Sequence, residues 1–320
     1  MSATQSTVKI SVIIPTLNEE KVLYDCLQSL QQLDYPKDAL EIIIVDNGST
    51  DGTRKIAGNF NTTVHKIPNI TVAGLRNFGA LQANGELLAF IDADCTVAPN
   101  WLRQACKYYD RSSIIAWGSP PRVPEKATWI QNTWYIVRKK RLPVQEVDWL
   151  ESMNLFIRKR DFIDAGGFNE TLITCEDVDL CYRLKKSGRI ISDESIWATH
   201  FGEAATLKSF WQKEVWRGRS NLSGLKSHGL TLQEIPSLIL PIYFSIIAPL
   251  AIIFSVLKCS LIGAAIFWFI PGMLVLFKTG YGKIKWNFIN AGRLFLLLQI
   301  YFLARTLAML KTEQNREQDA

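Results

Sequence analysis

Three continuous apolar runs, Val8–Pro15, Leu40–Val45 and Leu87–Ile91, govern what the first hundred residues can become. A run with no polar alternation reads as a strand buried on both faces, the habit of parallel sheets. The intervals carry helical spacing. Val22, Leu23, Cys26, Leu27 and Leu30 recur on one helical face after the capping-box pattern Thr16–Glu19, and Ala73–Ala83 reads as a second helix. Strands alternating with helices predict an α/β fold built on a doubly wound, mostly parallel sheet. Ligands of such sheets bind beyond the carboxyl ends of the strands.

The C-terminal third follows a different pattern. From Ile235 to Phe277 the only charged residue is Lys258. The segments 235–257 and 260–277 each approach the ~20 apolar residues that a bilayer-spanning helix needs. A third apolar segment, 288–310, contains Arg293 and Arg305. It either spans with its arginines snorkelling or lies in the interface as an amphipathic helix, and the sequence leaves both open. The expected organisation is a soluble domain over 1–234, membrane or interfacial helices over 235–310, and a polar tail over 311–320.

Charge supports that division. The net charge is +6, and residues 235–312 hold seven basic residues and no acidic one, so the excess belongs to the apolar tail. It is a membrane signature and not a nucleic-acid footprint. Basic flanks before the first segment and after the second place both on the cytoplasmic side. The opening residues show no signal-peptide pattern, and the six cysteines form no CxxC pair and no zinc spacing.

Acidic residues crowd the predicted strand ends. The first strand runs into Pro15-Thr16-Leu17-Asn18-Glu19, the second ends at Asp46, and the third at Asp92-Ala93-Asp94. In a parallel sheet these ends share one rim. Crowded carboxylates repel, and a divalent cation relieves the repulsion; oxygen donors suit Mg2+ or Mn2+. No GxGxxG follows the first strand and no GxxxxGK[ST] occurs, which argues against nicotinamide and P-loop chemistry. Taken alone, Asp46 and Asp51 would equally cap a turn and a helix.

The ordered series resembles the family 2 glycosyltransferases, which have the GT-A fold. Val12–Glu19 is similar to that family's opening strand and loop, Val45–Asp51 to its second-strand motif, Arg76-Asn77-Phe78-Gly79 to its donor-binding helix start and Ile91–Asp94 to its DxD. Gly166-Gly167-Phe168 with Cys175–Leu180 and Arg183 is similar to its acceptor-side segment, so the resemblance covers about 8–200.

The resemblance implies transfer of a sugar, with inversion, from a nucleotide-diphospho-sugar (a UDP-sugar first) to a lipid-linked or glycan acceptor, in polysaccharide or envelope biosynthesis. Pro15, Thr16, Asn18 and Glu19 would wall the nucleotide and Asp46 would bind the base. Arg76 would face the diphosphate. Asp94 would ligate Mn2+ or Mg2+, Asp92 would contact the ribose or the metal, and His200 is a candidate second ligand or acceptor contact. Asp177 would be the general base, with Glu176 orienting it or the donor sugar. Family synthases that spin long chains carry Gln-x-x-Arg-Trp; here Gln212–Trp216 has Val215 at the Arg position, which argues for adding one or a few sugars. The expected setting is the plasma or inner membrane, multi-pass, with the catalytic domain cytoplasmic. Direct transfer onto polyprenyl phosphate, with the run Arg138–Arg141 on the phosphate, and a non-catalytic membrane scaffold are the alternatives.

Overall fold

The structure, a computed structural model, describes residues 7–139, 142–219, 235–258 and 288–310. Segment 260–277, its basic flank at Lys278–Lys285, Lys140, Arg141 and the tail 311–320 lie outside them.

The three apolar runs form β1 (Ile10–Thr16), β2 (Leu40–Asp46) and β4 (Leu87–Ile91). With β3 (Thr63–Lys66), β6 (Ile114–Gly118), β7 (Val144–Val147), β8 (Asn154–Arg158) and β9 (Arg189–Asp193) they make an eight-stranded sheet in the order β3-β2-β1-β4-β8-β6-β9-β7. The half from β3 to β4 is wholly parallel, and β6 pairs β9 in parallel. β8 runs antiparallel to both β4 and β6, and β7 antiparallel to β9. The register sets Thr16 against Asp46 and Ile13 against Phe90, so the ends of β1, β2 and β4 emerge on one rim as the apolar pattern predicts. β5 (Cys95–Val97) and β10 (Ala198–His200) form a small antiparallel ribbon that ties the Asp94 turn to His200.

Each β1 side chain chooses a face by the two-residue period. Ile10, Val12 and Ile14 pack beneath α1 (Leu23–Gln31) in one core, and Ile13 enters the other core with Val45 and Leu75. The short helix α2 (Thr53–Ala57) follows the β2 turn. The opposite face is covered by α3 (Val72–Gln82), whose N-cap Thr71 accepts from the Gly74 amide. α3 lies so close to the sheet that a Cβ on Gly79 would stand 2.6 Å from Ile13 Cγ2 and 3.2 Å from Val45 Cγ2. Peripheral helices are α4 (Trp101–Cys106) and α6 (Lys159–Asp164), and α7 (Glu176–Leu184) closes the second core with Leu180, Cys181 and Leu184.

Thr16 does not begin a helix. It is the last residue of β1, and α1 starts only at Leu23, with Val22 as an N-cap that supplies no side-chain bond. The Glu19 amide that a helix would use is taken by Thr53 Oγ1, 2.7 Å away on the neighbouring loop. The loop after β1 is held from across the crevice and not by its own Thr16.

By contact the chain splits into two compact units: Met1–Pro124 with Leu142–Gly202, which holds the sheet, and Glu125–Arg141 with Glu203–Ala320. The second unit is helical. α5 (Trp129–Arg138) and α8 (Leu207–Arg217), both before residue 235, group with α9 (Ile235–Ile242), α10 (Ala248–Leu257) and α11 (Phe288–Leu310); a π-helical turn over Tyr243–Ile247 joins α9 to α10. Ile130, Trp134, Phe210, Leu294, Leu297, Leu298 and Phe302 are its core.

Among the described residues, two stretches are long and apolar enough to cross a membrane: Ile239–Leu257, with mean hydropathy 2.3 and 7% burial, and Phe288–Met309, with mean hydropathy 1.3 and 39% burial. Arg305 of α11 does not reach outward for water. Its Nη2 lies 2.9 Å from Glu214 Oε2 on α8, and its guanidinium lies over the Tyr301 ring. Arg293 stacks on Trp129. Arg138, set on a phosphate only in the polyprenyl-phosphate alternative, is engaged with Glu203, which also meets Arg217.

The Gly79 approach gives a direct check of the α3 docking. Gly79→Ala lowers stability by about 1–3 kcal/mol, the usual cost of overpacking a filled core. The denaturation midpoint should fall; an unchanged midpoint contradicts the packing.

Candidate active site

Two loops at the sheet rim are laced together by backbone and hydroxyl groups. Asn18 takes a left-handed backbone (φ 57°), which short polar side chains tolerate. Its amide donates to Ser49 Oγ at 2.9 Å and its Oδ1 accepts from the Thr50 amide at 2.9 Å. Asp46 is fully buried; its Oδ2 accepts from the amides of Gly48 (3.1 Å) and Ser49 (3.0 Å), and Thr16 Oγ1 approaches Oδ1 at 3.4 Å. The turn is possible because Gly48 has φ +87°. Asp46 therefore shapes the turn between the loops, with Arg54 Nε 3.7 Å from its Oδ2.

Arg76 is the only cation among the described residues that pairs with both Asp92 and Glu176. It is 3% exposed; Nη2 meets Asp92 Oδ1 at 2.7 Å and Nη1 meets Glu176 Oε1 at 2.8 Å. The Phe168 ring lies 5.7 Å from the guanidinium carbon. Expected on a diphosphate, Arg76 instead lies beneath the crevice and fixes one carboxylate from β4 and one from α7. Its charge is held more firmly than usual, because Asp92 and Glu176 outweigh burial.

Beyond β4 the chain brings Asp94 to His200, Oδ2 to Nε2, at 3.0 Å. Asp94, Cys95 and His200 offer donor atoms within 4.8 Å of one another. The turn accepts no side chain at Gly202, where a Cβ would stand 1.9 Å from Asp94 Oδ2 and 2.9 Å from His200 Nε2. The carboxylate oxygen suits Mn2+ or Mg2+, and the imidazole adds a nitrogen donor of the kind that transition ions accept. Burial, then Asp94 and Asp92, push the Cys95 thiol well above its ordinary range, so it is the weakest donor of the three. The fit to a cation has a second sign. Glu19 is raised to about 7 by burial and then by Asp94, Asp92 and Asp51, a crowding of negative charge at this rim.

Asp177 opens α7 directly after Glu176, and Cys175 before them is itself left-handed (φ 67°). Such backbone strain in a bulky residue is typical of functional turns. Asp177 Oδ1 accepts from the Val178 amide at 2.8 Å and Oδ2 from the Ser152 amide at 3.4 Å. Burial, then Glu176 and Glu151, raise it to about 7 against the lowering by the Val178 amide and Arg76. An ordinary Asp is fully ionised at neutral pH; this one titrates there. The buried Glu151 belongs to no motif and its approach is visible only in the fold, as are Ser49 and Thr53, whose hydroxyls hold the first loop.

Residues 11–164 match the model of "Glycosyl transferase family 2". Glycosyltransferase AglE of Haloferax volcanii is 30% identical over 190 residues, 56% of this chain and 62% of that protein. Beta-monoglucosyldiacylglycerol synthase of Nostoc sp. is 25% identical over 193 residues, 55% of this chain and 41% of that one. The chain thus spans less than two thirds of the length of either relative. The fold is shared with the solved mannosyltransferase PcManGT from Pyrobaculum calidifontis in complex with GDP-Man and Mn2+, at TM-score 0.66 and 17% identity over 97% of this chain and 89% of that one.

The contact at Gly202 checks the metal-ligand geometry without any assay of turnover. Gly202→Ala drives Asp94 from His200 and should weaken Mn2+ binding by about 10-fold or more, as disturbed ligand supports generally do. Titration calorimetry of the full chain reads this; wild-type affinity in the variant contradicts the pairing of these two ligands.

Proposed function

We propose that this chain, whose residues 11–164 belong to glycosyl transferase family 2, transfers a sugar from a nucleotide-diphospho-sugar, with inversion, to a lipid-linked or glycan acceptor. The observation that carries the reading is the pairing of Arg76 with Asp92 and Glu176, which sets a donor-side carboxylate and an acceptor-side helix start around one cation.

The nucleotide is walled by Pro15, Thr16, Asn18 and Glu19, with the base toward the turn that Asp46 shapes. Asp92 faces the ribose or the metal. Asp94 and His200 would hold a divalent cation, Mn2+ or Mg2+, which would supply positive charge to a leaving diphosphate. Arg76 serves as a positioning residue that keeps Asp92 and Glu176 in register. The acceptor hydroxyl oxygen attacks the anomeric carbon and the bond to the diphosphate oxygen breaks on the opposite face. Asp177 takes the hydroxyl proton as the new bond forms. A carboxylate tuned to about 7 is a far stronger base than an ordinary one while still ionised in part at neutral pH. Glu151 and Glu176 maintain that tuning.

The helical unit sets where the reaction takes place. Ile239–Leu257 anchors the chain in the bilayer, with the catalytic domain on the cytoplasmic face of the cell membrane. An active site tethered at the membrane meets a lipid-linked acceptor at raised effective concentration. The name of the Nostoc relative, a diacylglycerol glucosylating enzyme, agrees with a lipid acceptor.

The test is nucleoside diphosphate release by the detergent-solubilised full chain with a lipid extract, across a panel of UDP- and GDP-sugars, with Mn2+ or EDTA. Release with one donor, lost in EDTA, is expected. Asp177→Asn should lower kcat/KM by about 10²–10⁴-fold. Metal-independent nucleotide binding with no release from any donor would favour the scaffold reading.

The pH profile gives a second check. Asp177 must be ionised to accept the proton and its value is raised, so kcat/KM climbs with pH through about 7. Glu151→Gln removes a like charge and should move that limb toward acid; a limb that stays in place contradicts the assignment.

A further inference from the structure

α3 contributes more than Arg76. The next residue, Asn77, meets the segment that leads into α7. Its Oδ1 accepts from the Phe168 amide at 2.8 Å. Its Nδ2 donates to the Phe168 carbonyl at 2.9 Å and to Glu170 Oε1 at 2.8 Å. A carboxamide offers an acceptor and a donor side by side, so it can hold the N–H and the C=O of one residue together. Thr71, the N-cap of α3, adds a longer bond from its Oγ1 to the Glu170 carbonyl at 3.3 Å.

The grip is close because of the residues just before it. Gly166 and Gly167 both take left-handed backbone (φ 79° and 68°), and a Cβ on Gly167 would stand 2.7 Å from Asn77 Oδ1. Phe168 then turns its ring inward, 2% exposed and 5.1 Å from the Phe90 ring. The ring fixes where the segment enters the core. One apolar anchor leaves the backbone free to rotate about it, and the Asn77 bonds remove that freedom.

At its far end the same segment is held by Arg76 through Glu176. Two consecutive residues of one helix therefore hold both ends of the stretch 171–175. Within it Leu172 and Thr174 are buried, whereas Thr171 is exposed and Ile173 and Cys175 are half-buried. One side of the stretch lies on the protein and the other stays open. Cys175 ends it in a left-handed turn, directly before Glu176 and Asp177. Consecutive Cα atoms are about 3.8 Å apart, so the open side begins within a few peptide lengths of Asp177.

We propose that Asn77 is a positioning residue for the acceptor: by holding Phe168 and Glu170 it sets the stretch 171–175 as one wall of the acceptor's seat beside Asp177. The inference rests on Asp177 as the base of the transfer. It gives α3 two separate duties, Arg76 toward Asp92 and Glu176, and Asn77 toward the acceptor wall.

The experiment follows nucleoside diphosphate release by the detergent-solubilised full chain over a dilution series of lipid extract, at saturating donor. Asn77→Ala should raise the amount of extract that gives half-maximal release by about 10-fold, the scale of one or two lost hydrogen bonds. kcat and the half-saturating donor concentration should stay at their wild-type values, the signature of lost acceptor binding and not of lost chemistry. A general loosening of the fold would move all three. Glu170→Ala, at an exposed position, should shift the extract requirement by about 3-fold. Glu170→Gln keeps an oxygen for Asn77 Nδ2 and should behave as wild type. Hydrogen exchange of the substrate-free chain is an independent readout: amides of 167–175 should exchange faster in Asn77→Ala, while those of β1 and β4 keep their protection. Unchanged exchange over 167–175, an unchanged extract requirement in Asn77→Ala, or a fall in kcat without a change in that requirement overturns the proposal. A wild-type chain that releases nothing with any donor or any amount of extract would overturn the transfer reading itself, and the acceptor role with it.

Discussion

One buried guanidinium fixes the geometry of the catalytic unit. Arg76 reaches from α3 to Asp92 at the end of β4 and to Glu176 at the start of α7, partners 16 and 100 residues away in the chain. At 3% exposure the charge has lost its water, and only the two carboxylates make that burial tolerable. Removing either breaks one buried ion pair and leaves the guanidinium on a single carboxylate. The same cation reaches Asp177, the proposed base, electrostatically. It lowers Asp177 while burial, Glu176 and Glu151 raise it, and the balance sets that carboxyl at about 7.

The rim opposite is organised by the reverse condition, too much negative charge. Burial first, and then Asp94, Asp92 and Asp51, raise Glu19 to about 7, and His200 offsets this only in part. Such a site gains by taking up positive charge. The backbone at Gly202 passes close beside both donors, with no room for a Cβ where Asp94 and His200 now stand. One side of the crevice is therefore neutralised internally by Arg76, while the side of Glu19 and Asp94 still calls for positive charge. That asymmetry suits a substrate whose diphosphate leaves toward the cation while its acceptor loses a proton toward a carboxylate.

The sheet was legible because its strands are buried on both faces, so Val12–Pro15, Ile42–Val45 and Leu87–Ile91 stand out as apolar runs. The acids at their ends followed from the parallel register. What lay hidden is long-range. Thr16–Glu19 looks like a helix start until Thr53 takes the Glu19 amide from another loop. Arg76 looks free for a phosphate until the fold delivers Glu176. Glu151 carries no motif, and the grouping of α5 and α8 with α11 depends on Glu214 meeting Arg305, 91 residues apart. Local patterns name the elements and their ends; the pairing of charges across the fold is settled by packing.

The measurement that reaches the centre of this account is a double-mutant cycle between Arg76→Met and Glu176→Gln, read as kcat/KM for nucleoside diphosphate release. If the pair acts as one unit, the double variant loses less than the two single losses combined, with a coupling of about 1–3 kcal/mol. Losses that simply add would mean that Arg76 and Glu176 work independently, and would contradict the guanidinium as the link between the donor and acceptor sides of the site.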